Sequence, residues 1–198
     1  TQQGNSTGLS ITGNAKPYRI LIHTFENANG TDFDDQITGD SNNNRLDGGK
    51  GNDTLIGGGG QDSLLGNDGD DMFISGDVVS TTLDGGAGTD RVEYAGALEG
   101  VTVNLNLTVA QFISASQGSD TLLNFENISG SSFNDVLIGN SAVNTITGGD
   151  GDDTIDGLSG NDVIKAGVEV TGFSDDDSVT GGSGFDTVFG GDGNDTMT

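Results

Sequence analysis

Aspartate returns along this chain at intervals of nine residues, each time just after a glycine run and two places before a large apolar side chain. Gly48 to Ile56 reads GGKGNDTLI and Gly57 to Leu65 reads GGGGQDSLL. With the positions numbered one to nine, glycine favours one, two and four, Asp holds six and an aliphatic holds eight. Glycine at these places permits the positive φ of a tight turn and lets main-chain carbonyls crowd a ligand. Carboxylates and carbonyls together are hard oxygen donors, the chemistry that holds calcium and similar divalent cations.

The register extends in both directions. Five consecutive units run over 30–74 and place Asp35, Asn44, Asp53, Asp62 and Asp71 at position six. A second array from Gly130 to Lys165 places Asp135, Asn144, Asp153 and Asp162 there; a third, in units opening at Gly172, Gly181 and Gly190, places Asp177, Asp186 and Asp195. A solitary unit at 85–93 carries Asp90, with Thr81 and not an Asp on the way back to Asp71. The segment 115–123 keeps the Asp and Leu with weaker glycines. The candidate turn glycines are Gly48, Gly49 and Gly51; Gly57, Gly58 and Gly60; Gly148, Gly149 and Gly151; Gly181, Gly182 and Gly184; and Gly190, Gly191 and Gly193. Phe25-Glu26-Asn27 recurs as Phe125-Glu126-Asn127 with the following arrays in matching register, which reads as duplication of one module. The expected organisation is a lead-in or cap at 1–29, a first array at 30–93, and a β-rich insert with one degenerate repeat at 94–129. A second array at 130–165 and a third, truncated one at 166–198 follow.

The elements that must position these residues are short. Each unit leaves three residues rich in Thr, Val, Ile and Leu, enough for a very short strand whose central side chain points to one face. Two units make a coil of 18 residues, and every second unit stacks about 4.8 Å away with position eight turned inward. One buried aliphatic per nine residues stabilises less than ordering nine backbones costs, and stacked carboxylates repel one another. A cation that binds only the folded turn adds its binding free energy to folding, so calcium is expected as a structural component.

Composition agrees. The chain of 198 residues has 36 glycines, one proline, no cysteine and no tryptophan, with 31 acidic side chains against 6 basic ones and a formal charge of -25. An acidic, glycine-rich chain would ordinarily be disordered; the repeat argues otherwise. The charge repels nucleic acid and anionic membrane and attracts cations. The absence of cysteine excludes a disulfide framework, a zinc-thiolate site and a thiol nucleophile. No apolar run is long enough to span a membrane, and no basic-then-apolar signal opens the chain. A start at Thr1 reads as a fragment or a processed product.

Outside the arrays, residues 94–114 alternate at Val101, Val103, Leu105, Leu107 and Val109, a period of two that predicts one or two longer strands covering the core. The only proline, Pro17, and the only histidine, His23, lie in the lead-in, where His23 reads as a structural residue. The chain lacks HExxH. Its carboxylate pairs fall in metal register, which makes them poor candidates for proton transfer, so no enzyme is expected.

GGKGNDTLI, GGGGQDSLL, GGDGDDTID and GGDGNDTMT resemble the RTX, or hemolysin-type calcium-binding, nonapeptide GGxGxDxUx. The resemblance implies an all-β fold, a right-handed parallel β-roll (β-solenoid) with a β-insert between arrays, several calcium ions held between same-side turns, and type I secretion to the exterior or cell surface. It pairs Asp35 with Asp53, Asp53 with Asp71, Asn44 with Asp62, Asp135 with Asp153, Asn144 with Asp162 and Asp177 with Asp195, the glycine carbonyls completing each site. Asp186 would need a partner beyond Thr198. Asn44 and Asn144 should weaken their sites, and Asp150, Asp152, Asp175 and Asp176 are expected to be solvated turn charges. The expected role is a calcium-binding module of an adhesin, surface-layer protein or exoenzyme. The alternatives are a solenoid that binds or cleaves cell-surface polysaccharide, and self-association through the solenoid ends.

Overall fold

Three-residue strands separated by glycine turns leave the chain one way to bury its single apolar side chain per unit, which is to stack the units in parallel. The computed structural model describes residues 9–10, 19–21, 26–75, 79–167 and 175–198. The described residues form strands and turns without a helix, so none of them belongs to a helix long and apolar enough to cross a membrane. Pro17, His23 and Gly172 lie outside the described residues.

The strands form three sheets. The longest has nine, in the order Arg19–Leu21, Gln36–Thr38, Thr54–Ile56, Met72–Ile74, Arg91–Glu93, Asn127–Ser129, Thr145–Gly149, Val163–Gly167 and Thr187–Phe189, all parallel. A seven-stranded sheet alternates with it through the first half of the chain, and a five-stranded sheet alternates with it through the second. Within 30–74 and 130–165 each pairing joins residues two units apart, as Leu55 with Phe73 and Ile146 with Ile164. The architecture is a β-roll, and one apolar file fills it. Ile37, Leu46, Leu55, Leu64, Phe73, Val92, Leu122, Leu137, Ile146, Ile155, Ile164 and Val179, all from position eight, are buried in one cluster. Met197, on the last strand, is 48% exposed.

The arrays are not separate stacks. Strand Asn127–Ser129 pairs with Arg91–Glu93 on one side and Thr145–Gly149 on the other, and Val163–Gly167 pairs with Thr187–Phe189. Pairing thus runs through the boundaries drawn at 129 and 165. Residues 94–114 also differ from the expected one or two longer strands. Val101, Val103 and Leu105 are buried around Thr102–Asn104, the first strand of the five-stranded sheet, but the alternation ends there and Leu107 and Val109 are exposed. The chain then makes an antiparallel hairpin, Gln111–Ser114 with Gly118–Leu123, that closes the seven-stranded sheet. The insert is where the roll exchanges one wall for another.

Candidate metal centre

Position six falls at the bend just before each strand, so parallel stacking draws these residues into files. The file beside the nine-stranded sheet runs from Asp35 to Asp186 with a break after Glu126. Asp35 N–H donates to Asp53 Oδ1 at 2.7 Å, Asp53 to Asp71 at 2.7 Å, Asp71 to Asp90 at 2.7 Å, and Asp90 to Glu126 Oε2 at 2.8 Å. Beyond Glu126, Asn144 N–H donates to Asp162 Oδ1 at 2.8 Å and Asp162 to Asp186 at 3.0 Å. The file beside the five-stranded sheet runs from Val101 through Asp135, Asp153 and Asp177 to Asp195 with bonds of 2.7, 2.8, 2.8 and 3.1 Å. In the seven-stranded sheet Asn44 donates to Asp62 at 2.8 Å.

All six anticipated pairs are therefore neighbours in space. Two expectations are corrected. Asp186 has its partner within the chain, because the spacing from Asp162 widens to 24 while the stack continues unbroken. Asp90 is not isolated: a one-residue insertion puts it 19 residues from Asp71 and in line with it.

The glycines divide by task. Gly49, Gly51, Gly58, Gly60, Gly149, Gly151, Gly182, Gly184, Gly191 and Gly193, at positions two and four, all have positive φ. Gly48, Gly57, Gly148, Gly181 and Gly190, at position one, do not; each lies against the carboxylate oxygen of its own unit, that of Asp53, Asp62, Asp153, Asp186 and Asp195 respectively. A Cβ on Gly157 would meet Asp162 Oδ2 and the carbonyl of Gly181, both at 2.6 Å. A carboxylate oxygen and a carbonyl of the next coil thus converge at one bend.

Most of the carboxylates are buried at a cost. Oδ2 of Asp53, Asp71, Asp90, Asp153, Asp162 and Asp177 is buried with no hydrogen-bond partner. Desolvation pushes Asp53 up to about 7, Asp90 up to about 7, Asp153 up to about 8 and Asp177 up to about 6, partly opposed in each case by the main-chain hydrogen bond it accepts. Asp71, Asp135, Asp162 and Glu126 are raised for the same first reason. Among the described residues no three His, Cys, Asp or Glu side chains converge as a metal cluster. An ion in this file would draw on one or two carboxylates and otherwise on main-chain carbonyls. That donor set, all oxygen and starved of hydrogen bonds, fits a hard divalent cation and does not fit zinc or another soft metal.

Several engaged residues lie outside the set of candidate ligands. Glu126 occupies position six between Asp90 and Asn144, a place that counting back one unit from Gly130 would have marked. Asp120 is buried in the file of the seven-stranded sheet and receives Thr81 N–H at 3.4 Å. Position five makes a second ladder of opposite polarity: Asn52 N–H donates to Asp34 Oδ1, Asp70 to Asn52, Asp176 to Asp152 and Asn194 to Asp176, at 2.8 to 3.0 Å. Asp152 and Asp176 are thus exposed but structurally engaged, Asp150 is exposed, and Asp175 is buried, against expectation. Asp or Asn recurring at position five was the available signal.

The family of the RTX calcium-binding nonapeptide repeat matches the chain in four copies, at residues 26–55, 48–77, 129–164 and 171–198, together more than half of its length. No curated protein matches the chain significantly.

Proposed function

The chain belongs to the RTX calcium-binding nonapeptide repeat family, a β-roll module whose repeats bind calcium, and from that premise we propose which residues bind it and to what end. The ligands are the position-six side chains Asp35, Asp53, Asp71, Asp90, Asp135, Asp153, Asp162, Asp177, Asp186 and Asp195, with Asp62 and the weaker Asn44 and Asn144, completed by the carbonyls of the glycine turns. The observation that carries this reading is the row of buried Oδ2 atoms without partners. A calcium ion supplies there the positive charge that the buried carboxylates lack. The chain itself supplies a spacing fixed by parallel pairing, turns held open by glycine, and main-chain N–H groups that fix the orientation of each carboxylate. The stack therefore forms only where calcium is abundant, as it is outside a cell. The module is non-catalytic and serves as a spacer or folding device in a secreted adhesin, surface-layer protein or exoenzyme.

A polysaccharide-binding face draws less support. Among the described residues the exposed aromatics Phe33, Phe112, Phe133, Phe185 and Phe189 are dispersed over turns and two different sheets, without the row that stacks on sugar rings. The test is a calcium titration followed by circular dichroism, with magnesium as control. Strand signal should grow with calcium alone, and Asp53→Ala and Asp153→Ala should each move the midpoint to higher calcium. An unchanged midpoint in both variants would remove the ligand assignment.

A further inference from the structure

The position-six file is interrupted at one place, and the interruption is built differently from everything around it. Between the strands Gly118–Leu123 and Asn127–Ser129 the six-residue glycine turn is reduced to Asn124, Phe125 and Glu126. No glycine stands in this corner. Phe125 turns inward, 3% exposed, and meets Phe73 edge to face with ring centroids 5.0 Å apart. The carbonyls that would face the next coil are already bonded: Asn140 Nδ2 donates to Phe125 O and Asn144 Nδ2 to Glu126 O, both at 2.7 Å. Two neutral amides thus do at this joint what a cation is asked to do elsewhere, and their N–H groups aim at the space between the coils. The joint does not fit a calcium ion, although Asn144 Oδ1 still faces the carbonyl of Gly157 in the coil beyond.

The neighbouring coil is satisfied in the same manner. Asp120 is fully buried, yet its Oδ2 accepts the hydroxyls of Ser75 at 3.0 Å and Tyr94 at 2.9 Å, where Asp53 Oδ2 has nothing. Tyr94 is itself fully buried and donates its main-chain N–H to Ser129 at 2.9 Å, fastening the Asp120 coil to the joint. The Gln111 side chain closes the exposed edge of Thr102–Asn104 by accepting Asn104 N–H and donating to Asn104 O at 2.8 and 2.9 Å. Hydrogen bonds and aromatic packing here satisfy the Asp120 carboxylate and the Phe125 and Glu126 carbonyls without a cation.

We propose that the middle of the roll, from the Tyr94–Asp120 clasp to the Asn140–Asn144 joint, is a calcium-independent waist on which the repeats of either side condense when calcium arrives. The proposal rests on the calcium reading given above, since the waist matters only if the flanking coils need the metal. Its consequence is bidirectional assembly: nine-residue units add outward from a preformed edge on both sides, so no coil has to nucleate alone.

Hydrogen exchange on the full chain, with calcium and with excess chelator, tests this. In chelator the amides of Arg91–Tyr94, Asp120–Ser129 and Thr145–Thr147 should exchange at least about tenfold more slowly than those of Thr54–Ile56 and Thr154–Asp156. Tyr94→Phe and Asn140→Ala should each erase that difference while leaving the calcium-loaded protection and the number of bound ions unchanged. Equal loss of protection along the chain in chelator overturns the waist and leaves the calcium reading standing. Equal retention overturns both. A chelator-state difference that survives both substitutions overturns the assignment of the waist to these side chains.

Discussion

Asp53 donates its main-chain N–H to Oδ1 of Asp71 at 2.7 Å, while Asp71 Oδ2 remains buried and unbonded. One carboxylate is thus divided between two tasks, a hydrogen bond that fixes the stacking register and an oxygen kept for a cation. Substitution separates them. Asp71→Asn keeps an acceptor for Asp53 but removes the charge and puts a donor where the metal oxygen was. In calcium this variant should need more metal to fold and melt lower. In metal-stripped protein it should gain stability, by about 1–3 kcal/mol, the range for relieving a buried group left unsatisfied. Thermal melts with and without calcium read both signs, and a variant that loses stability in both states contradicts the division of labour.

Protonation should reverse the effect of the metal. Burial raises Asp53 and Asp90 to about 7 and Asp153 to about 8. A carboxyl whose folded value exceeds its unfolded one favours the fold fully below the unfolded value and loses that contribution as pH rises through the folded one. Metal-stripped protein should therefore be most stable at about pH 4 and lose stability progressively as pH rises to about 7 to 8. Calcium binding has the opposite slope because its ligands must be deprotonated, so the calcium midpoint should rise as pH falls below about 7. Melting curves at pH 5 and 8.5, each with and without calcium, should cross; parallel pH dependence in the two states would contradict the buried-carboxylate account.

Gly60 and Gly96 separate structural glycines from incidental ones. Gly60 has φ +99°, and a Cβ there would stand 2.6 Å from the carbonyl carbon of Asn42 and 2.7 Å from its oxygen. Gly60→Ala should cost at least about 1–3 kcal/mol, the range for a backbone outlier, before the clash with the coil below is counted. Gly96 is exposed, lacks a positive φ and has nothing within 4 Å of a built Cβ. Gly96→Ala should be neutral or gain about 0.4–1 kcal/mol. Urea unfolding at saturating calcium measures both, and equal losses would mean that turn geometry does not limit the stack.

What the sequence made legible follows from the period. Gly at one, two and four, Asp at six and an aliphatic at eight repeat often enough to set the register, and so Asp35 with Asp53 or Asp135 with Asp153 are readable without coordinates. What escaped is whatever departs from 18. A single extra residue near Ser75 hides Asp90 in a lone unit, and six extra residues before Asp177 make one stack look like two arrays. Glu126 escaped because its unit lacks the glycines that announce a turn, which here is a Phe corner; Asp120 was legible in the degenerate unit at 115–123, but not its hairpin or its hydroxyl partners. The exchange of the seven-stranded sheet for the five-stranded one leaves no periodic mark, since both walls use the same x-U-x strand.

Phe125 provides the last contrast, between packing and metal. The duplicated Phe-Glu-Asn element was legible as a repeat but not as a corner, and its burial against Phe73 gives it a size of effect. Phe125→Ala should destabilise the calcium-loaded protein by about 3–5 kcal/mol, as buried Phe truncations do. Combining it with Phe73→Ala should reveal a coupling of about 0.5–1.5 kcal/mol for the edge-to-face pair. Phe112, on the hairpin and 65% exposed, should tolerate serine within about 0.5 kcal/mol. Because the Phe125 ring packs against Phe73, its loss should lower the urea midpoint equally at saturating and tenfold higher calcium, whereas a ligand variant such as Asp71→Asn should recover as calcium rises. Recovery of Phe125→Ala with added calcium would place the corner inside a metal site and contradict the separation of apolar corner from metal file.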